Sequence, residues 1–211
     1  MRCTLAPNAG TDKEDLEMSG TTRAQFLTRS ARGGLVLVAG GAILGVAEGT
    51  AFGAGTSDVD IAKLAATAEL LAIDFYTRSI KSGKFSGDEL SYFVGAKQNE
   101  VDHYNALKGV LKSSTPKGLH FGYPDGAFAS RTSIGKLGEA LETAFVGAYM
   151  GAVGALSSNE LKSVAAEIGA CESRHLSVLT NIGAGAIVPA PSLPKVLTAA
   201  QATAAVKPFI M

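Results

Sequence analysis

Two of the three histidines in this chain have a glutamate three residues before them, Glu100-Val-Asp-His103 and Glu172-Ser-Arg-His175. With 11 glutamates among 211 residues, chance gives two such pairs in about one sequence in a hundred. Residues three apart share a helix face. Here that face is apolar: Phe93, Ala96, Glu100, His103 and Leu107 in one segment, and Ala165, Ile168, Glu172, His175 and Leu179 in the other. A carboxylate turned into a core without a partner costs on the order of a few kcal/mol or takes up a proton. The chain must therefore fold into helices that bring counter-charge to both glutamates.

Past Gly55 the 3.6-residue apolar period predicts four long amphipathic helices. Their rows are Ile61, Leu64, Ala68, Leu71 and Phe75 in the first, Phe93, Ala96, Leu107 and Leu111 in the second, Leu137, Leu141, Ala144 and Ala148 in the third, and Leu161, Ala165, Ile168 and Leu179 in the fourth. Capping boxes are expected at Ser57 with Asp60, Ser86 with Glu89 and Ser157 with Glu160, and the third helix is expected to start near Ser133. The links at Gly83 to Ser86 and Gly154 to Ser158 are short enough to force antiparallel hairpins. The second-to-third link, Ser114 to Thr132, is rich in Gly, Pro and aromatics. Extended, it reaches about 60 Å, against about 37 Å for a helix of its neighbours' length, so it can cross the bundle and start the third helix at the same end as the second. Gly183 is the expected stop of the fourth helix. A short apolar helix through Pro194, Leu197, Ala200 and Ala204 is expected to pack on the outside.

The other two helices carry one inward glutamate each. Glu69 sits among Ala62, Ala65, Ala72 and Tyr76, and Glu142 among Gly135, Gly138, Phe145 and Tyr149, each with a tyrosine seven residues on. Glu69 to Glu100 is 31 residues and Glu142 to Glu172 is 30, which makes the hairpins an internal repeat. The metal-ligand set expected is Glu69, Glu100, His103, Glu142, Glu172 and His175, converging at mid-height as in the di-iron and di-manganese carboxylate bundles. Glu100 and Glu172 would bridge or chelate, His103 and His175 would each cap one metal, and Glu69 and Glu142 would be terminal. Carboxylates neutralise two divalent cations, and one imidazole per metal leaves positions free for water, O2 or peroxide. Zinc prefers more nitrogen or sulfur, and calcium uses no histidine.

These residues, in the runs Glu69-Leu-Leu-Ala-Ile-Asp-Phe-Tyr76, Glu100-Val-Asp-His103, Leu141-Glu142, Ala148-Tyr149-Met-Gly-Ala152 and Glu172-Ser-Arg-His175, resemble the ferritin-like superfamily. They look most like its small exported, desiccation-related group, which the tail Lys207-Pro208-Phe209-Ile210 also resembles. The resemblance implies an all-α ferritin-like four-helix bundle of two hairpins joined by a long crossover, with a short C-terminal helix. It implies two iron ions, or alternatively two manganese ions, and chemistry with O2 or peroxide: Fe(II) oxidation first, manganese-catalase activity as a further option. A non-catalytic metal-binding or structural envelope protein of the same fold is the alternative from another class. A homo-oligomer stays open.

Composition narrows the rest. The 19 basic and 19 acidic side chains cancel and no basic cluster stands out, so a nucleic-acid partner is not expected. Cys3 and Cys171 are the two cysteines, too few for a disulfide framework or a thiolate zinc site. Arg23, Arg29 and Arg32, the apolar run Gly33 to Ala47 and the small residues at Ala51 to Gly55 read as a secretory signal peptide. The run is shorter than the roughly 18 residues of a spanning helix, and no cysteine follows it as a lipoprotein would require. Thr22-Arg23-Ala24-Gln25-Phe26-Leu27 resembles a twin-arginine signal with Ala24 in place of the second arginine, so the route is twin-arginine or general secretory. Met18 is an alternative start. The expected organisation is leader and signal over 1–54, bundle over 55–183 and tail over 184–211, in an exported protein of the periplasm or cell envelope. Glu139, three residues before Glu142, is a substitute or auxiliary ligand; Tyr76, Tyr104 and Tyr149 are core residues, His120 a surface residue and Cys171 a buried inert thiol.

Overall fold

A computed structural model describes residues 56–187 and 191–211; the leader and signal expected over residues 1–54 lie outside the described residues. Four long helices follow in order: α1 Asp58–Lys81, α2 Gly87–Leu111, α3 Arg131–Ala155 and α4 Asn159–Ala184. A short α5, Ala199–Val206, closes the chain with a single 3-10 turn, Lys207–Phe209. The architecture is all-helical, as expected. No helix among the described residues is long and apolar enough to cross a membrane.

Cap chemistry sets the helix starts, and none of the three expected capping boxes forms in full: at α1 the Asp60 carboxylate accepts from the Ser57 hydroxyl rather than from its amide. At α1 the Ser57 side chain accepts from the Asp60 amide, as expected. At α2 Ser86 is the N-cap but makes no side-chain cap bond, and the Glu89 carboxylate is engaged instead by the Arg131 guanidinium at the start of α3. This pair shows that α2 and α3 begin at the same end of the bundle, as the crossover length allowed. At α4 the cap is Ser158 rather than Ser157. The Asp58 carboxylate accepts from both the Ser157 and Ser158 amides, at 2.8 and 2.9 Å, which draws the turn onto the start of α1. Those backbone bonds hold Asp58 below the usual carboxylate range. Helix α3 starts at Arg131, ahead of Ser133, because Ser130 and Ser133 cap each other reciprocally.

The faces differ from expectation in α3 and α5. In α3 the buried row runs through Ile134, Leu141, Phe145, Tyr149 and Ala152, while Leu137, Ala144 and Ala148 flank it half-buried. In α5 the buried residues are Ala202 and Val206, not Ala200 and Ala204, and Thr198 caps the helix after Pro194 and Leu197. Helix α4 runs past Gly183 and stops at Gly185, whose φ of 72° supplies the left-handed cap. Gly183 serves packing instead: a Cβ on Gly135 of α3 would lie 2.4 Å from the Gly183 nitrogen, so these two glycines let α3 and α4 touch backbone to backbone.

The tail returns over α1 and α3. Leu197 donates to the Gly147 carbonyl on α3. The C-terminus pairs with the crossover through Gly122 N to Phe209 O, 2.8 Å, and Met211 N to His120 O, 3.0 Å. Tyr104 anchors the same crossover by donating to the Pro116 carbonyl at 2.8 Å. The apolar interior forms two clusters, one around Leu71, Phe75, Phe93, Ile134 and Leu179, the other around Ile61, Ala66, Leu107, Ala165 and Ile168. Between them lies a polar layer. Substituting Gly135→Ala should force α3 and α4 apart and destabilise the protein by about 1–3 kcal/mol; thermal denaturation against Gly95→Ala, whose new methyl meets nothing within 4 Å, checks it.

Candidate metal centre

Each long helix sends one glutamate into the polar layer, Glu69 from α1, Glu100 from α2, Glu142 from α3 and Glu172 from α4, and all four are buried. Burial is forced by the neighbours: each glutamate occupies an inward position of a helix whose adjacent inward positions are Ala, Leu, Ile, Gly or Phe. The third-residue spacing then carries His103 and His175 onto the same faces. All six expected residues are brought together.

They form two overlapping groups of four, each offering ligand atoms within 4.8 Å of one another: Glu69, Glu100, His103 and Glu172, and Glu100, Glu142, Glu172 and His175. Glu100 and Glu172 belong to both. Each imidazole points Nδ1 inward. His103 Nδ1 lies 3.4 Å from Glu69, 3.2 Å from Glu100 and 3.1 Å from Glu172. His175 Nδ1 lies 2.8 Å from Glu100, 3.0 Å from Glu172 and 3.8 Å from Glu142. A ring nitrogen carries at most one proton, so neither can donate to three carboxylates. One oxygen on each glutamate, Glu69 Oε2, Glu100 Oε1, Glu142 Oε2 and Glu172 Oε1, is buried without a hydrogen bond. Such an oxygen costs roughly 1–3 kcal/mol, more when charged. Four carboxylates carry the charge that two divalent cations cancel, and the donor set of oxygens with one imidazole per group suits a divalent transition metal. The residues fit a two-metal centre.

The family model described as a ferritin-like domain matches residues 57–184, the whole of this four-helix region. The chain belongs to the ferritin-like family. A comparison with curated proteins gives no match.

Within this ferritin-like bundle the hairpins brace each other's carboxylates. Tyr76, seven residues after Glu69 on α1, donates to Glu142 on α3 at 2.6 Å. Tyr149, seven residues after Glu142 on α3, donates to Glu69 on α1. Seven residues are about 10 Å of helix rise. Because α1 and α3 run antiparallel, that offset puts each hydroxyl level with the opposite glutamate. The tyrosines are thus core residues, as expected, with their hydroxyls spent on the site. Burial, then the Glu142 charge for Tyr76 and the Glu69 charge for Tyr149, keeps both phenols neutral far above their usual range.

Other expectations divide. Glu139 lies outside both groups and instead lines a groove with Pro191 and Lys195. His120 is exposed, as expected. Cys171 is buried, and its sulfur lies 3.7 Å from His175 Nε2 and 3.0 Å from an Arg174 nitrogen. Two neighbours of the site escaped the sequence reading. Asn99 places Nδ2 3.1 Å from His175 Nε2, and Tyr92 donates to the His175 carbonyl at 3.3 Å with its hydroxyl 3.5 Å from that of Tyr76. Each lies one residue before a member of the apolar row, Glu100 and Phe93, so periodicity passes over both. With Nδ1 given to a metal, the imidazole proton resides on Nε2, and the Asn99 amide would turn its oxygen to accept it.

The metal-free electrostatics are those of crowded acid. Burial, then the Glu172 charge, pushes Glu100 well above the usual carboxylate range, and burial followed by Glu172 and Glu100 does the same to Glu142. Burial opposes ionisation of Glu172 too, but the nearby His103 and His175 imidazoles outweigh it and hold its pKa down. Burial works against charge on the two imidazoles, yet the surrounding carboxylates prevail and raise both. A raised folded pKa contributes stability that is complete below the unfolded value and is lost as pH climbs through the folded one. The ordinary values are 4.5 for Glu100 and Glu142 and 6.5 for the histidines. Metal-free stability should therefore fall from about pH 5 upward, while Glu172 acts only below its ordinary 4.5. Divalent metal binds the deprotonated set, so the gain in Tm on adding Mn(II) should grow between about pH 5 and 7 as proton competition fades. Scanning calorimetry at several pH values checks both slopes; identical curves with and without metal would remove the metal centre.

Proposed function

We propose that this is an exported ferritin-like protein that binds two iron ions in the six-residue cluster and oxidises Fe(II) with O2 or peroxide, limiting metal-driven damage under oxidative or desiccation stress. The observation that supports it most is the sharing of Glu100 and Glu172 between two four-ligand groups. Two cations held by common carboxylates sit close enough to act as a pair.

In this reading Glu69 and His103 would hold one ion and Glu142 and His175 the other, with Glu100 and Glu172 available to both. Two ferrous ions side by side supply the two electrons that reduce O2 to hydrogen peroxide, or hydrogen peroxide to two waters, each with uptake of two protons. The protein's part is to keep four ionised carboxylates together, which the Tyr76 and Tyr149 hydroxyls do by fixing Glu142 and Glu69 from the opposite hairpin. Apolar layers above and below keep bulk water from solvating the carboxylates, so their attraction for cations stays strong.

The test joins binding to turnover. Anaerobic titration of metal-free protein should reach two Fe(II) per chain, and admitting air should oxidise that iron faster than buffer does. His103→Ala and His175→Ala should each weaken one position, roughly ten-fold or more, whereas Glu100→Ala should disturb both. Two ions bound without accelerated oxidation would favour a metal-holding protein of the cell envelope. Wild-type affinity for two ions in the His103→Ala, His175→Ala double variant would end the di-metal reading.

Export belongs to the same proposal and rests on the basic, apolar and small-residue segments before residue 55. Protein recovered from its native host should lack residues up to about 54, Cys3 included, by intact-chain mass spectrometry. Recovery of the full 211 residues from cytosol would reverse it.

A further inference from the structure

The six side chains are close to two-fold symmetric, but their access to solvent is not. The His103 side chain is 13 % exposed and that of His175 is 3 %. His103 lies at the floor of a groove of about 370 Å³ between α2 and α4, lined also by the exposed carboxylates Asp102 and Glu167. A second groove of about 280 Å³ opens on the same face and ends on His175. Tyr92, Gly95 and Val178 line it, and among the described residues no carboxylate does. Asn99 and Arg174 border both grooves. On the opposite side of the bundle α5 lies over α1 and α3, where a small apolar pocket of about 30 Å³ sits beside Tyr149.

Charge and what lies behind the floor decide between the two openings. Among the described residues lining the second groove the Arg174 guanidinium is the one permanent charge, and it repels a cation. In the first, Asp102 and Glu167 outnumber it. Behind His103 its inner nitrogen faces Glu69 Oε2 at 3.4 Å and Glu172 Oε1 at 3.1 Å. Both oxygens are buried and without a hydrogen bond. Exposed carboxylate, imidazole and unpartnered buried carboxylate thus follow one another from the groove inward.

We propose that divalent cations reach the centre through the His103 groove, with Asp102 and Glu167 as transient ligands at its mouth and His103 as the last side chain passed, while the His175 groove carries no cations. This inference rests on the di-metal reading. It predicts a rate effect without an affinity effect, because the mouth carboxylates are not among the six that retain the ions.

Stopped-flow binding of Co(II) to the full metal-free chain, followed by cobalt absorption, tests it alongside an equilibrium titration. The Asp102→Asn, Glu167→Gln variant should take up two Co(II) with wild-type affinity but roughly three- to ten-fold more slowly at low ionic strength, the difference shrinking as salt screens it. Ala106→Phe, which narrows the same groove from an exposed position on α2, should slow uptake at every salt concentration. Gly95→Leu, which fills the other groove from a position with nothing within 4 Å of a new Cβ, should leave the rate unchanged. Two Co(II) bound at wild-type rates in the charge variant, or a Gly95→Leu variant slowed as much as Ala106→Phe, would overturn the groove and leave the di-metal reading standing. Wild-type protein that fails to take two Co(II) would overturn that reading and the groove with it.

Discussion

Mutual repulsion among four buried carboxylates is the constraint around which this bundle is arranged. An alanine- and leucine-rich four-helix bundle gains its stability from area removed from water, and every glutamate placed in that interior opposes the gain. The protein confines the opposition to one layer. Apolar clusters lie on either side of it, and each carboxylate receives what the helices can offer: a tyrosine hydroxyl for Glu69 and Glu142, imidazoles for Glu100 and Glu172. The remainder, one bare oxygen per glutamate, is left for cations.

Symmetry explains why the arrangement closes. Each hairpin supplies a lone glutamate on its first helix and a Glu-x-x-His on its second, at spacings of 31 and 30 residues. A tyrosine seven residues beyond the lone glutamate reaches the other hairpin's carboxylate because α1 and α3 are antiparallel. Neither hairpin can satisfy its own glutamate this way, so the polar layer ties the hairpins together as the apolar layers do. The glycines at 135 and 183 complete the tie by letting α3 and α4 approach closely, where a single methyl would collide with backbone.

The parts of this structure legible from sequence are those that repeat with a period. Four helices, their pairing, the crossover and the six inward Glu and His side chains all follow from apolar rows, short links and the Glu-x-x-His spacing, and the structure brings those six residues together. Cap placement was less legible, because Glu89 and Asp58 answer to partners far away in the chain, Arg131 and the Ser157–Ser158 turn. A capping pattern records only what the nearest residues offer. Gly183 was misread for a similar reason: a glycine near a helix end signals a stop locally, whereas its use here depends on Gly135, 48 residues earlier. Asn99 and Tyr92 were missed because they sit beside the inward row and touch His175 from its edge.

The departures from symmetry lie outside the hairpins, in the crossover and the tail. The C-terminal segment hydrogen-bonds to the crossover at Gly122 and His120 and to α3 at Gly147, and this fixes α5 over α1 and α3. That placement closes one face of the bundle with alanine and valine and leaves the α2–α4 face, which carries both histidines, bordering solvent. The difference in exposure between His103 and His175 then follows from what flanks them on that face. Tyr92 packs edge-on against His175 at 6.3 Å between ring centroids and Tyr76 at 5.7 Å, while no aromatic ring contact is made to His103 among the described residues. A repeat that makes two equivalent Glu/His groups is thus converted, by one covering helix and the tyrosines around His175, into a cluster with a sealed side and an open side.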